Sequence, residues 1–510
     1  MSDWAEGYLV DIGYTFGYYS ELNPLRARLA MLKSGYAMPK IATACELGFG
    51  QGLSINMHAA ASDIEWYGTD FNPSHTAFAG ELAATGTGAN LYDQAFIEFC
   101  NRTDLPEFDY IGLHGIWSWI SAQNRDVIID FLRRKLKVGG LCYISYNTYP
   151  GWATVAPLRH LLNEHADTMS PRGIGILPRI DAALKFVESL LDANPLYARA
   201  HPGAAERLKS LRNQDRNYLA GEYFNDHWDP MYFSDVADLL SSAKLNYLAS
   251  ASYRDHVDAL NLSDQQQALL RDIPDPMFRE TVRDFIVNQQ FRRDYWIRGG
   301  RALPAANQID LLRQEHVVLT SPREDVQLEV TGTRGKATLN EDVYTPFLDA
   351  VADGKVKTLG DIEEAMKSAG KNFSQVLQAA VVLVGKGDMA PAQDEAATAA
   401  VTSRTDALNA HLLSLTRAGR GLNYLDSPVL GGAVAVSYIQ QLLLLAHQQG
   451  LKKTDERIRW AWDVFNSHGR RITREGRTIE GQDEALAEFT REAKRLQDKS
   501  EPVLKSLGIL

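Results

Sequence analysis

The chain has 510 residues, of which 45% are hydrophobic and 23% charged, with a formal charge of −11 and three cysteines. At about 100 to 200 residues per domain it should hold several domains, and its ordinary apolar fraction excludes global disorder. The acidic balance disfavours a phosphate backbone or an anionic lipid surface as the main partner, because binding there needs a clustered positive field.

Met1 to Val10 carries acidic and polar residues where a secretory signal would need a basic start and an apolar run. The alternation of β-type apolar runs with amphipathic stretches over the next 160 or so residues predicts an α/β fold with a mainly parallel sheet. Ile41 to Leu47 reads as the first strand, followed by a glycine-rich turn and a helix over Leu53 to Ala61. Glu65 to Thr69, Tyr92 to Phe96 and Phe108 to Leu113 read as later strands. An Asn-capped helix over Asn124 to Lys137, stopped by Gly139 and Gly140, leads into a strand over Leu141 to Tyr146. Cys45, Cys100 and Cys142 fall in apolar runs at wide spacing, which suits buried reduced thiols in a cytoplasmic protein and supports neither a disulfide framework nor a metal site.

Beyond Ser170 the pattern turns helical. An aromatic and acidic cluster, Glu222 to Trp228, precedes a dense stretch from Phe285 to Gly300 that contains Arg292, Arg293 and Arg298. With Arg301, these arginines read as a solvated or ion-paired face with Asp284 and Asp294, and alternatively as a grip on an acidic substrate or phosphate by paired hydrogen bonds. Three short helices over Tyr344 to Asp353, Gly360 to Ser368 and Asn372 to Val384, with a turn at Gly385 to Met389, suggest a winged-helix-like module. Residues 336 to 400 hold six lysines, no arginine and ten acidic residues, so that module is expected to dock a substrate or form a dimer rather than bind nucleic acid. Ala390 to Thr402 reads as a linker. Gly431 to Ala446 is broken by Ser437 and the Gln440-Gln441 pair and falls short of the roughly 20 apolar residues that span a bilayer. It reads as a buried helix, without stable membrane insertion. The expected domains are 1–170, 171–315, 316–400 and 401–510.

The strongest chemical signal is Glu46-Leu47-Gly48-Phe49-Gly50-Gln51-Gly52 between a strand and a helix. Its glycines follow G-x-G-x-G, unlike the G-x-G-x-x-G of a pyrophosphate-binding turn, and the loop opens on a carboxylate that would repel a pyrophosphate. Such a loop suits a ligand with a positive end, as in the amino group and sulfonium of S-adenosylmethionine. Asp70 closes the second strand 24 residues beyond Glu46, where it can accept from ribose hydroxyls. Asp93 ends the third strand, placed to accept from an adenine amino group.

Together with Tyr67-Gly68-Thr69-Asp70, Phe108-Asp109-Tyr110 and Leu136 to Gly140, this loop resembles class I S-adenosylmethionine-dependent methyltransferases. His114-Gly115-Ile116-Trp117-Ser118-Trp119, Ser145 to Trp152, and Asp284 to Asn288 with Phe291 to Asp294 resemble the bacterial members that carry a methyltransferase regulatory domain. The rickettsial lysine methyltransferases acting on outer-membrane proteins are similar in architecture. The resemblance is specific over the first third of the chain and looser beyond, and Gly221 stands where many relatives have histidine. It implies a Rossmann-like catalytic domain over 1–170, a regulatory helical domain over 171–315, a winged-helix-like domain over 316–400 and a helical domain over 401–510.

The cofactor set read from these motifs is Glu46, Gly48, Gly50 and Gly52, then Asp70 with Phe71, Asp93 with Gln94, and His114. His114 either holds the methionine end or accepts a proton, with a plain structural role at a turn as the alternative. Tyr146 and Asn147 follow the last strand and are expected to line the transfer site through hydroxyl and carbonyl acceptors. Tyr14, Tyr18 and Tyr19 precede the first strand, where many class I methyltransferases cover the cofactor. With Trp117, Tyr149 and Trp152 they make the expected acceptor wall, while Trp117, Trp119 and Trp152 serve chiefly as wall and core. The expected function is methyl transfer to a protein lysine. Methylation of a surface glycan or small metabolite, and a catalytically silent cofactor-binding scaffold, are the alternatives.

Overall fold

The structure is a computed structural model that describes residues 7–8, 16–474, 477–479 and 481–510. Its centre is a parallel run of five strands: β1 (Thr43–Leu47), β2 (Glu65–Asp70), β3 (Asn90–Asp93), β4 (Phe108–Leu113) and β5 (Leu136–Asn147). Two later strands, β6 (Leu245–Ser250) and β7 (Phe291–Arg298), extend it to seven in the order β3-β2-β1-β4-β5-β7-β6. β7 runs antiparallel to both β5 and β6. Every residue of β4 is buried, as are Gly140 to Asn147 of β5, which is why these central strands read as continuous apolar runs rather than alternating ones. The strand order reverses between β1 and β4, and open α/β sheets bind ligands beyond the carboxyl ends of the strands at such a point.

The expected elements shift at their ends. The helix before β5 runs Ala122–Lys135 and is capped by Ser121, whose Oγ accepts from the Asn124 N–H at 3.2 Å, so Asn124 lies inside it. Gly139 and Gly140 lie within β5, which starts at Leu136. β3 ends at Asp93, and Phe96–Cys100 is a short helix.

The seven-stranded sheet crosses the expected division at 170/171, since β6 and β7 belong to the later segment. Arg292 of β7 is buried, with Nε 2.8 Å from Asp294 Oδ2, Nη1 2.7 Å from Asp284 Oδ1 and Nη2 2.9 Å from Glu280 Oε2. The ion-paired reading of this arginine describes what is there. Removing one member of such a buried network strands its partners without water, which is costly.

Between β5 and β6 the chain inserts a set of helices, from Ala156–Thr168 to Arg216–Tyr223, that pack on their own apolar cluster of Trp152, Leu162, Ile180, Leu208 and Tyr223 among others. The later segments share cores with the sheet instead. Leu53, Met57 and Ala60 of the helix Leu53–Ala61 pack with Leu408, Leu412 and Leu442 of the carboxy-terminal helices. The expected boundary at 400/401 falls inside one continuous helix, Glu395–Arg417, and the expected linker Ala390 to Thr402 is strand Met389–Pro391 followed by the first turns of that helix. Ala396, Ala399 and Ala400 of those turns are exposed, and alanine's high helix propensity suits the helix there, where composition alone resembles a linker. Gly431 to Ala446 holds the strand Gly432–Ala435 and part of the helix Tyr438–Gln448. Among the described residues, no helix is long and apolar enough to cross a membrane.

The three expected helices occur as Glu341–Ala350, Leu359–Met366 and Phe373–Lys386. The turn after them leads to the single strand Met389–Pro391, which pairs with His316–Leu319. A hairpin, Glu329–Gly332 with Gly335–Thr338, precedes the helices instead. The three cysteines are buried and free, with burial raising their thiol pKa values.

Candidate active site

A cavity of about 450 Å³ opens beyond the carboxyl ends of β1 and β4. That size falls in the usual range for small-molecule sites, about 300 to 1,000 Å³. Its floor is the glycine loop. Gly48, Gly50 and Gly52 all have positive φ, at 72°, 56° and 71°. At Gly52 a Cβ would lie 2.3 Å from Ala79 Cβ, so glycine there lets the helix Leu53–Ala61 approach its neighbour. At Gly50 a Cβ would meet nothing within 4 Å, because that side faces the cavity.

Two carboxylates flank the loop. Asp70, at the end of β2, accepts from the Gly50 N–H at 2.8 Å and the Asn72 N–H at 3.0 Å, and lies 3.3 Å from His75 Nδ1. It therefore braces the loop as well as lining the cavity. Glu46, at the carboxyl half of β1, is 3% exposed, and its Oε2 has no hydrogen-bond partner among the described residues. Burial, and then the neighbouring Asp70, push its pKa up to about 8.

Of the residues expected from sequence, the cavity gathers Glu46, Gly48, Gly50, Asp70, Phe71 and Gln94 on one side, and His114, Asn147, Tyr19 and Trp152 on the other. Gly52 supports the loop from behind. Asp93 is exposed and does not line the cavity; Gln94, Ala95 and Phe96 do. Tyr146 is fully buried away from the cavity, and its hydroxyl donates to Asp294 Oδ2 at 2.8 Å, where it completes the Arg292 network. An alternating strand explains this: Asn147 and Tyr146 point to opposite faces. Trp117 lies in the core, with Trp119 in the wall instead. Tyr149 packs on Tyr232, with ring centroids 5.4 Å apart. Tyr18 packs between His58 and Tyr424, against the carboxy-terminal hairpin. Tyr14 lies outside the described residues.

His114 stacks on Tyr19, centroids 3.6 Å apart, and its Nδ1 is 2.8 Å from the Tyr143 hydroxyl. Burial holds its pKa down, to about 3. A neutral imidazole of that kind is a positioned hydrogen-bonding group and a poor proton acceptor at neutral pH. Asn147 differs from expectation in polarity. Its Oδ1 accepts from Trp152 Nε1 at 3.1 Å, and Nδ2, on a side chain in a residue 4% exposed, is buried with no partner among the described residues. What it offers the cavity is a donor, not a carbonyl acceptor.

Sequence reasoning missed the far wall. Arg207, Tyr218, Glu222 and Tyr223 come from the inserted helices, Gln290 from just before β7, and Phe291 and Arg293 from β7 itself. Arg207 donates from Nε and Nη2 to the Tyr223 hydroxyl at 3.1 and 2.6 Å. The density of aromatic and acidic residues at 222 to 228 was the available signal. Nothing local could aim it at a loop some 170 residues upstream.

Residues 215–298 match a family model described as a predicted methyltransferase regulatory domain. An uncharacterised Synechocystis protein, sll1526, is 38% identical over 512 residues, covering 99% of both chains. The uncharacterised Rickettsia prowazekii protein RP789 is 30% identical over 295 residues, covering 55% of this chain and 51% of its own. Among solved structures, PKMT2 from Rickettsia typhi in complex with AdoHcy superposes over 97% of this chain and 99% of that one, with a TM-score of 0.68 at 17% identity. The chain belongs to one family with sll1526, it carries a methyltransferase regulatory domain, and its fold is that of PKMT2.

The site residues fit S-adenosylmethionine as a ligand. An orphaned, buried Glu46 oxygen calls for a donor or a positive charge, and the open side of Gly50 leaves room for a ligand against the backbone. The carboxylate pair at the loop suits the cationic end of S-adenosylmethionine and opposes a phosphate.

Proposed function

We propose that this methyltransferase transfers the methyl group of S-adenosylmethionine to a lysine of a protein acceptor. When bound, the cofactor supplies an electrophilic methyl group on a sulfonium. In this reading Glu46 and Asp70 accept hydrogen bonds from its polar groups, the glycine loop seats it, and the Gln94–Ala95 segment borders its base. His114, kept neutral by burial, positions without taking a proton.

The observation that carries the acceptor class is the aromatic wall opposite the loop, with Tyr19, Trp152, Tyr218 and Tyr223 around one cavity. A lysine ammonium has an ordinary pKa near about 10.4 and reacts only when neutral. Aromatic walls exclude water and favour the neutral amine by desolvation, and they receive a cationic side chain through their ring faces. The sequence motifs that resemble rickettsial lysine methyltransferases support the same class. The acidic three-helix module and the carboxy-terminal helices would then select the acceptor protein. One observation favours a second reading, methylation of an oxygen-bearing sugar or metabolite: the buried donor at Asn147 Nδ2 suits an oxygen in the ligand.

Purified full-length protein, incubated with methyl-labelled cofactor and a lysate from cells lacking the gene, separates these readings. Label that is protease-sensitive and recovered as methyl-lysine after acid hydrolysis supports the proposal. Label that resists protease or is lost in mild base overturns it.

A further inference from the structure

The segment whose family name is regulatory does not sit outside the site. Tyr218, Glu222, Tyr223, Gln290, Phe291 and Arg293 all fall within residues 215–298 and all line the cavity. The same segment contributes β6 and β7 to the central sheet. A purely regulatory element would act on a site already complete, whereas here the site lacks most of its far wall without this segment.

The charges around the cavity are unequally placed. On the loop side, Glu46 and Asp70 face the cofactor position. On the far side, Arg207 is held by the Tyr223 hydroxyl, and Arg293 lies 3.6 Å from Glu21 and 5.0 Å from the centre of the Phe291 ring. His114 between them is neutral. Glu222, in the last turn of the helix Arg216–Tyr223, is the carboxylate of this far wall, half-buried beside Tyr218 and Tyr223. The hydroxyls of Tyr8, Tyr19 and Tyr218 have raised pKa values, through burial first and the charge of Glu222 next, so its field reaches across the cavity mouth. A carboxylate set among aromatic faces recognises an ammonium by charge and by ring quadrupole together.

We infer that the 215–298 segment is the acceptor-recognition wall of the methyl-transfer site, and that Glu222 is its specificity-determining residue, receiving the positively charged amine as the acceptor enters. The inference rests on the amine-acceptor reading above. Glu222 distinguishes a cationic acceptor from a neutral one of the same shape, and it does so without holding the cofactor.

The test uses the full chain with S-adenosylhomocysteine, and n-butylammonium and n-pentanol as charged and neutral probes, by calorimetry and by tryptophan fluorescence from Trp119 and Trp152. Loss of one charge-assisted contact should weaken butylammonium binding by about 10- to 100-fold in Glu222→Gln. Pentanol and S-adenosylhomocysteine affinities should stay within about twofold, a readout that also reports an intact fold, and Glu222→Asp should recover part of the loss. Equal butylammonium binding by wild type and Glu222→Gln overturns the inference, as does a Glu222→Gln variant whose main loss is cofactor affinity. The two readings fail differently. If the wild type methylates lysine and Glu222→Gln does so with unchanged KM, the lysine reading stands and this one falls. If butylammonium binds through Glu222 but no lysine is ever methylated, the recognition wall stands and the lysine reading falls.

Discussion

The two walls of the cavity contrast in how they are built. The loop wall comes from β1, β2 and the turns after them, within about one-tenth of the chain, and its parts brace one another: Asp70 holds the Gly50 N–H, and Gly52 packs on Ala79. The far wall draws Arg207, Tyr218 and Glu222 from inserted helices and Phe291 and Arg293 from β7, with Trp152 tied by its Nε1 to Asn147 Oδ1 and to the Gln290 carbonyl at 2.9 Å. The loop wall is rigid by local backbone geometry. The far wall is rigid only because a buried ion network and a separate helical core hold distant segments together. The first kind of construction depends on neighbours in sequence, and the second on contacts between segments far apart in the chain.

Three perturbations probe that contrast. The largest effect should come from Arg292→Ala, which leaves Asp284 and Asp294 buried without their cation; breaking such a network costs about 3 to 5 kcal/mol. Denaturant unfolding should show the loss in the transition reported by the sheet itself. A variant that unfolds like the wild type would mean β7 is an appendage and that the two walls are independent.

Gly52→Ala should come next, at about 2 to 3 kcal/mol, from a Cβ driven into Ala79 and a positive φ that only glycine adopts freely. S-adenosylhomocysteine affinity should fall with it, while butylammonium binding at the far wall, measured at a temperature where the variant is folded, should be less affected. Equal loss at both ligands would break the distinction between the walls.

The smallest effect is a pH dependence confined to the loop wall. Free Glu46 has its pKa raised to about 8, so at neutral pH it is mostly protonated, and a cationic ligand must displace that proton. Affinity for S-adenosylmethionine should therefore rise with pH, by up to about tenfold per unit below pH 8, and level off above it. Calorimetry in buffers of different ionisation enthalpy should register the released proton. In Glu46→Gln the slope should vanish, and a wild-type affinity flat from pH 6 to 8 would remove Glu46 from cation binding.

What could be read in advance follows the same division. The loop motif, the acidic residues at 46 and 70 and the five parallel strands depend on residues near one another in sequence, where period and glycine spacing report backbone geometry directly. Asn147 lines the cavity, but it turns a donor toward it rather than the expected acceptor, because its Oδ1 is taken by Trp152. Tyr146 looked equivalent to Asn147 by position, but strand alternation and the reach of Asp294 from β7 took it into the core. Asp93 fell where a ribose- or base-binding carboxylate belongs in order of elements, while β3 ends so that its side chain meets solvent.

The α/β class, the glycine loop and the acidic opening of that loop are legible along the chain, since each rests on a local rule of backbone conformation or charge. The folded arrangement alone reveals that residues 245–298 complete the central sheet, that the carboxy-terminal helices share a core with the helix Leu53–Ala61, and that Tyr218, Glu222 and Arg293 line one cavity. Those juxtapositions come from burying apolar surface and pairing charges between segments far apart in the chain, and no window of sequence contains both partners.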